Sequence, residues 1–325
     1  MLPHYSQQFM QDSPFYLGAA ILLVSILLAK LAPLPRAMQP FYLYSQLALR
    51  LSDKVNHPER SSSQQVTAGL LSIVLLLVPF WLIISFLLQL AAYPWFFEFL
   101  VLYLCLSDEQ FYKVAEEASQ TLQHADKPRT RALIKGWLSR DTQGLSEVGL
   151  SKAITEKLLT TPIYGTVATM VFFIVGGAPL VLGARMLKQL QLCWPAINPH
   201  YRHFGKPAYY LCYMLYYVPS MLWNFTLAIQ GGPKALKAML TPRRSLYAIN
   251  HHLSTYNIAA QVLDVELGGP VKFGGVKVPL DKVGPPHKPD ASVLPRALRL
   301  VSSTNTLWIV SLMLVPLIWT ALRYL

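Results

Sequence analysis

Apolar residues along this chain gather in long blocks separated by polar stretches. The first block runs from about Phe15 to Leu31. It lacks the basic start, the short core and the small-residue cleavage site of a secretory signal, so it reads as a retained membrane helix. The next stretch, about Val66 to Leu106, is too long for one crossing of a bilayer. It divides near Ala92-Tyr93-Pro94, where Tyr93, Trp95, Phe96 and Phe97 suit a turn at the membrane interface. Further blocks run from about Pro162 to Leu187, from about Ala208 to Ile229 (rich in Tyr) and from about Thr306 to the C-terminus. Backbone groups in lipid must be satisfied internally, which leaves helices for blocks of this length. The pattern predicts an all-α, polytopic membrane helix bundle of about six transmembrane helices, forming one integral membrane domain over 1–325.

The polar stretches differ in character. Residues 107–161 read as a helical segment, with a partial stripe at Val114, Ala118 and Leu122 continued by Leu133 and Trp137. Residues 231–304 are punctuated by Gly231-Gly232-Pro233, Gly268-Gly269-Pro270, Gly274-Gly275 and Gly284-Pro285-Pro286. That is loop composition, with one short helix expected around 245–266.

Composition sharpens this picture. The chain of 325 residues is 53% hydrophobic and 14% charged, against roughly 25% charged in a soluble domain. Disorder and a single soluble globule are both excluded. The 28 Lys and Arg outnumber the 16 Asp and Glu. They lie between apolar blocks, so topology and anionic headgroups account for them and nucleic acid does not. A polyanionic substrate such as a nucleotide is also compatible. With the N-terminus outside, the inside segments 30–65, 107–161 and 231–304 hold 5, 8 and 10 Lys or Arg. Arg185, Lys188, Arg202, Lys206 and Arg323 are left outside. Both termini are therefore expected on the periplasmic side of a bacterial inner membrane, with the polar segments in the cytoplasm.

The chain lacks phosphate-loop, nucleophile-elbow, HExxH and dinucleotide fingerprints. Cys105, Cys193 and Cys212 have no CxxC spacing, and His251-His252 or His200 and His203 lack ligands at metal spacing, so no metal site is expected. The most pointed group is Arg140-Asp141-Thr142 with Glu156 further on. One reading makes Asp141 or Thr142 the N-cap of the helix carrying Glu156. The other sets a cation and two carboxylates at the mouth of a span, suited to Mg²⁺ and phosphate. Asp141 and Glu156 can meet only across a turn, and Gly144 is the expected break. Gly176-Gly177-Ala178-Pro179 reads either as close packing with a kink or as a broken helix lining a cavity. Gly268-Gly269-Pro270 reads either as a tight connector or as an anion cradle.

Taken in order, these motifs resemble the CobD/CbiB family of bacterial inner-membrane proteins. The resemblance rests on Trp137-Leu138-Ser139-Arg140-Asp141-Thr142, where the family has a GRDT-type signature. It continues through Glu156, Gly165 and Gly176-Gly177-Ala178-Pro179-Leu180, and returns at Leu267-Gly268-Gly269-Pro270. It implies a late step of cobalamin biosynthesis, in which an aminopropanol or its phosphate is joined to adenosylcobyric acid to give adenosylcobinamide or its phosphate. It also implies acid–amine ligation with ATP and Mg²⁺, the lipid bilayer and a corrinoid as partners, and no nucleic acid. By resemblance Asp141 and Glu156 are catalytic, and Arg140, Thr142, Gly268 and Gly269 bind substrate or phosphate. Gly176, Gly177, Pro179 and Pro270 are structural.

The chain departs from the family at acidic positions. A family Glu, Asn and Asp fall on Thr160, Thr161 and Tyr164, and a Lys and Asp fall on Arg185 and Gln191. Paired acidic residues are replaced within Ala208–Cys212, and an SPN…E pattern is lost around Asn250–Tyr256. Of an N-terminal GDP and a following HPV, only Pro40 remains. The alternative expectation is a non-catalytic regulator similar to AmpE, a related inner-membrane family linked to β-lactamase induction.

Overall fold

A computed structural model describes residues 4–35, 38–106, 109–241 and 252–324. Among these residues the fold is helical, with only four strands of two or three residues. Helix α1 (His4–Leu31) is followed by α2 (Pro40–Val55), whose first residue is the proline that N-terminal turns tolerate. A capping box between Ser61 and Gln64 starts α3 (Ser62–Leu90). Pro94 starts α4 (Pro94–Cys105) after a break at the expected place. Three helical stretches, Ser62–Leu90, Glu147–Cys193 and Val293–Leu322, are long and apolar enough to cross a membrane, and Phe15–Leu31 is a shorter apolar helix. α3 exposes Leu70, Leu71, Val74, Leu75, Leu82 and Ile83, the surface a lipid-facing helix presents.

The segment after α4 is helical as expected. α5 (Gln110–Gln123) buries Phe111, Ala115, Ala118 and Leu122. α6 (Lys127–Ile134) is capped by Asp126, which accepts from the Arg129 amide. α7 (Glu147–Tyr164) is capped by Ser146, whose hydroxyl accepts from the Gly149 amide at 3.2 Å. Asp141 and Thr142 are thus not its cap: residues 142–145 make a turn containing Gly144, and the helix starts only after it.

Two apolar segments that the sequence presents as crossings fold back instead. α8 (Thr166–Cys193) is interrupted at Gly176 and Gly177, and Gly177 has φ +64°. A straight helix would put Lys188 about 33 Å from Thr166. Yet the Lys188 Nζ lies 3.4 Å from the ring centre of Tyr164, just before that helix. The two limbs therefore double back, the first (residues 166–175) about 15 Å and the second (residues 178–193) about 24 Å long, each short of the hydrocarbon thickness of about 30 Å. Ile174 and Val175 are exposed at the tip, and the Trp81 indole donates to the Pro179 carbonyl at 2.7 Å. The Tyr-rich segment is also two helices, α9 (Lys206–Leu215) and α10 (Tyr217–Gln230). Tyr216 meets Phe172 between them, and Trp223 returns to donate to the Leu159 carbonyl at 2.9 Å.

The last polar segment holds α11 (Gly232–Leu240), α12 (Leu253–Leu263) and two small antiparallel ladders. The helix expected around 245–266 is seen as α12, and residues 242–251 lie outside the described ones. β1 (Leu267–Gly268) pairs with β4 (Lys282–Val283), and β2 (Val271–Phe273) pairs with β3 (Val276–Val278). α13 (Val293–Tyr324) closes the bundle: its start is buried through Val293, Leu294, Ala297 and Val301, and its outer half is exposed and apolar. Phe15 packs on Trp319 and Tyr16 bonds Thr320 at 2.9 Å, so the start of α1 and the end of α13 share one end of the bundle.

Candidate functional site

At the opposite, polar end lies a cavity of about 220 Å³. Its wall includes Arg140, Glu156, Lys157, Lys188, Tyr256 and Gly268. Glu156, only 6% exposed, comes from the middle of α7. Its Oε2 accepts from Arg140 at 2.8 Å and its Oε1 from the Gly268 amide at 2.8 Å. A buried carboxylate needs such partners. Gly268 has φ +73°, and a side chain there would collide with the Asp281 carbonyl. One amide of the glycine loop, that of Gly268, thus holds a carboxylate, and that carboxylate is the chain's own Glu156. The Gly269 amide is committed to Asp281 at 2.9 Å.

Asp141, expected beside Glu156, faces elsewhere. Its carboxylate accepts from the amides of Gly274 at 3.1 Å and Gly275 at 2.7 Å, and its own amide donates to the Lys272 carbonyl. It anchors the β2–β3 turn, whose Val271 and Phe273 form part of the cavity wall. Thr142 is buried and outside the cavity lining. Pro270 is exposed beside the cradle. Gly176, Gly177 and Pro179 shape the tip of the folded-back helix, away from the cavity. The structure therefore gathers Arg140, Glu156, Gly268 and Gly269, and sets Asp141 and Thr142 behind them.

The cavity also contains residues not singled out from sequence. Lys188 is buried, donates to the Gln191 Oε1 at 2.8 Å and lies over Tyr164. Its signal was a lysine inside an apolar run, where an ionisable group needs a partner or water. The Tyr164 hydroxyl and His252 Nε2 are 3.1 Å apart. Burial pushes the Tyr256 phenol well above its ordinary pKa and the Glu156 charge adds to this, so it stays a neutral donor. Next to the wall, Glu266 accepts from Lys152 at 3.1 Å and pairs with Lys282 at 3.3 Å.

Charge decides what this cavity can hold. Arg140, Lys157 and Lys188 line it against one carboxylate, Glu156, both of whose oxygens are bonded. Thr160, Tyr164, Gln191 and Tyr209 lie on this same wall. Mg²⁺ takes carboxylate and phosphate oxygens. Among the described residues no group of three His, Cys, Asp or Glu comes together. The described residues form no all-protein cage for Mg²⁺, and the three cations suit an anion.

The model of the CobD/CbiB protein family matches residues 22–301. The chain belongs to the CobD/CbiB family. The cobalamin biosynthesis protein CobD of Stutzerimonas stutzeri is 28% identical over 291 residues, covering 89% of this chain and 95% of that one. CobD of Chromobacterium violaceum is 28% identical over 297 residues, covering 90% and 94%. The cobalamin biosynthesis protein CbiB of Salmonella typhimurium is 26% identical over 229 residues, covering 66% and 70%. No solved structure matches. Family membership ties the chain to cobalamin biosynthesis, and its apolar helices make it a membrane protein. The AmpE-like alternative draws no support from these relatives.

Proposed function

We propose that this CobD/CbiB protein joins an aminopropanol, or its phosphate, to the free propionate of adenosylcobyric acid at the Glu156 cavity. The observation that carries the reading is the buried Arg140–Glu156–Gly268 cluster in a cavity otherwise rich in cations. Carboxylate and amine would form the amide at the expense of a phosphoryl donor, ATP by family resemblance: the carboxylate oxygen leaves as phosphate when the amine displaces it, the amine gives up a proton, and the donor leaves as the diphosphate. An amine must lose a proton before it attacks, and Glu156 is the carboxylate on the wall. Arg140, Lys157 and Lys188 are the groups for anionic oxygens. Asp141 is a positioning residue that holds the β2–β3 turn over the site.

The same reading sets the protein in the inner membrane with both termini in the periplasm. Folding back α8 and the α9–α10 pair removes two crossings, which leaves the termini on one side. It also brings Arg185, Lys188, Arg202 and Lys206 to the cytoplasmic face, leaving Arg323 on the other. The positive-inside asymmetry becomes steeper than with six crossings.

Complementation tests the function. A strain lacking its own family enzyme and dependent on cobalamin should grow on the wild-type chain and fail on Glu156→Gln at equal membrane levels. Wild-type failure to support growth, with the protein present in the membrane, counts against the ligation reading.

A further inference from the structure

α10 ends at Gln230, and α11 turns off it at Gly231-Gly232, where Gly232 has φ +71°. α11 lies on α12: Ala235 is buried, and the Asn257 side chain donates to the Ala238 carbonyl at 3.3 Å. Two cavities flank this contact. One, about 270 Å³, has Tyr213, Tyr217, Met221 and Met239 in its lining. The other, about 220 Å³, is lined by Lys234, Lys237, Ala238, Thr241, Asn257 and Gln261. One strip of α12 serves both. Ser254 and Ile258 line the first and Asn257 and Gln261 the second, the i, i+4, i+3 and i+7 positions of a single helix face. The two cavities are therefore neighbours.

Their chemistry differs. The first is aromatic and apolar, and Tyr213, Tyr217 and Met221 are exposed at its mouth, on helices whose outer surface is apolar. That mouth opens toward lipid. In the second, Lys234 and Lys237 are exposed cations one helical turn apart. No Asp or Glu lines either cavity. Ile229 and Leu240, exposed and apolar, bracket the two lysines in sequence. Such a change from apolar to basic surface marks the depth of the headgroups. A basic cavity beside an apolar one selects an amphipathic anion.

We propose that the two cavities together bind one anionic diacyl phospholipid of the surrounding bilayer, of the phosphatidylglycerol type. Its phosphate lies between Lys234 and Lys237, and an acyl chain enters the tyrosine–methionine cavity. A zwitterionic phosphatidylethanolamine is disfavoured, because its ammonium would stand against two lysines. This lipid site stands whether or not the chain ligates amines. It does adjoin the site: Tyr164 belongs to the walls of both the tail cavity and the Glu156 cavity.

Native mass spectrometry of the delipidated full chain in an uncharged detergent tests this. Dioleoyl-phosphatidylglycerol, dioleoyl-phosphatidylethanolamine and inorganic phosphate are added separately and in competition. The wild-type chain should retain one phosphatidylglycerol at least tenfold more tightly than phosphatidylethanolamine, and excess phosphate should not displace it. Lys234→Gln combined with Lys237→Gln should weaken phosphatidylglycerol tenfold or more and leave phosphatidylethanolamine within twofold. Lys288→Gln, at an exposed lysine outside both cavities, should leave both lipids within twofold. Tyr217→Ala, at the mouth of the tail cavity, should weaken both lipids alike, by threefold or more. Equal retention of the two lipids by the wild-type chain would overturn the assignment. So would equal losses in the double lysine variant and Lys288→Gln, or displacement by phosphate, which would make the lysines a site for free phosphate.

Discussion

Two glycine turns in this protein each bring backbone amide onto a carboxylate, one amide in the first and two in the second, and the two carboxylates have different surroundings. Gly268 meets Glu156 in a buried cavity, where Arg140 completes the pair. Gly274 and Gly275 meet Asp141 in an exposed turn, where among the described residues it forms no ion pair. Neighbouring residues Arg140 and Asp141 thus have different partners, one in the site and one in the β2–β3 turn beside it. The difference teaches that burial, and not nearness in sequence, sorts the acids of this segment into a site residue and an anchor.

Stability measurements can break that ordering. The largest effect is expected for Arg140→Ala, which leaves Glu156 buried and unpaired; breaking such a pair costs about 3–5 kcal/mol. It should appear as a large fall in the thermal midpoint of the purified protein. Gly268→Ala comes next, at roughly 2 kcal/mol, because the positive φ and the Asp281 carbonyl both oppose a side chain. Asp141→Ala should follow at about 1–2 kcal/mol, from two amide bonds lost at an exposed turn. Hydrogen exchange should then quicken at Gly274 and Gly275 and stay slow at Gly268. Equal losses for Arg140→Ala and Asp141→Ala would erase the distinction.

The smallest effect sharpens the comparison with a third carboxylate. Burial works against the charge of Glu266, but Lys152 and Lys282 hold its pKa below the ordinary value. A depressed folded-state pKa stabilises the fold above the unfolded value, about 4.3, and the contribution fades as pH falls through the folded one. Glu266→Gln should therefore lower stability at pH 7 by about 1 kcal/mol or less. The gap to wild type should close as pH drops below about 4. A gap that widened on acidification would reverse the sign.

The sequence made the bundle legible because hydrophobic blocks report membrane exposure directly. It also made the Arg140–Glu156–Gly268 meeting legible, through the motif order and the turn at Gly144. Direction was not legible. Two apolar limbs joined at Gly176-Gly177 have the hydropathy of one crossing, so Pro162–Leu187 looked like a span until Lys188 was seen against Tyr164. Lys188 was accordingly counted as an outside charge, although it lies on the wall beside Glu156. Asp141 was misassigned for a related reason: its partners, Gly274 and Gly275, are 133 and 134 residues away, and nothing local distinguishes a turn anchor from a site acid.

The most direct test compares the two carboxylates in one reaction. Purified wild type, Glu156→Gln and Asp141→Asn are given adenosylcobyric acid, aminopropanol phosphate and ATP, and the amide product is measured at substrate saturation. The account predicts at least a hundredfold loss for Glu156→Gln and no more than about tenfold for Asp141→Asn, the range expected for losing a proton-transfer group against a positioning contact. Equal losses, or a Glu156→Gln protein as active as wild type, would contradict it.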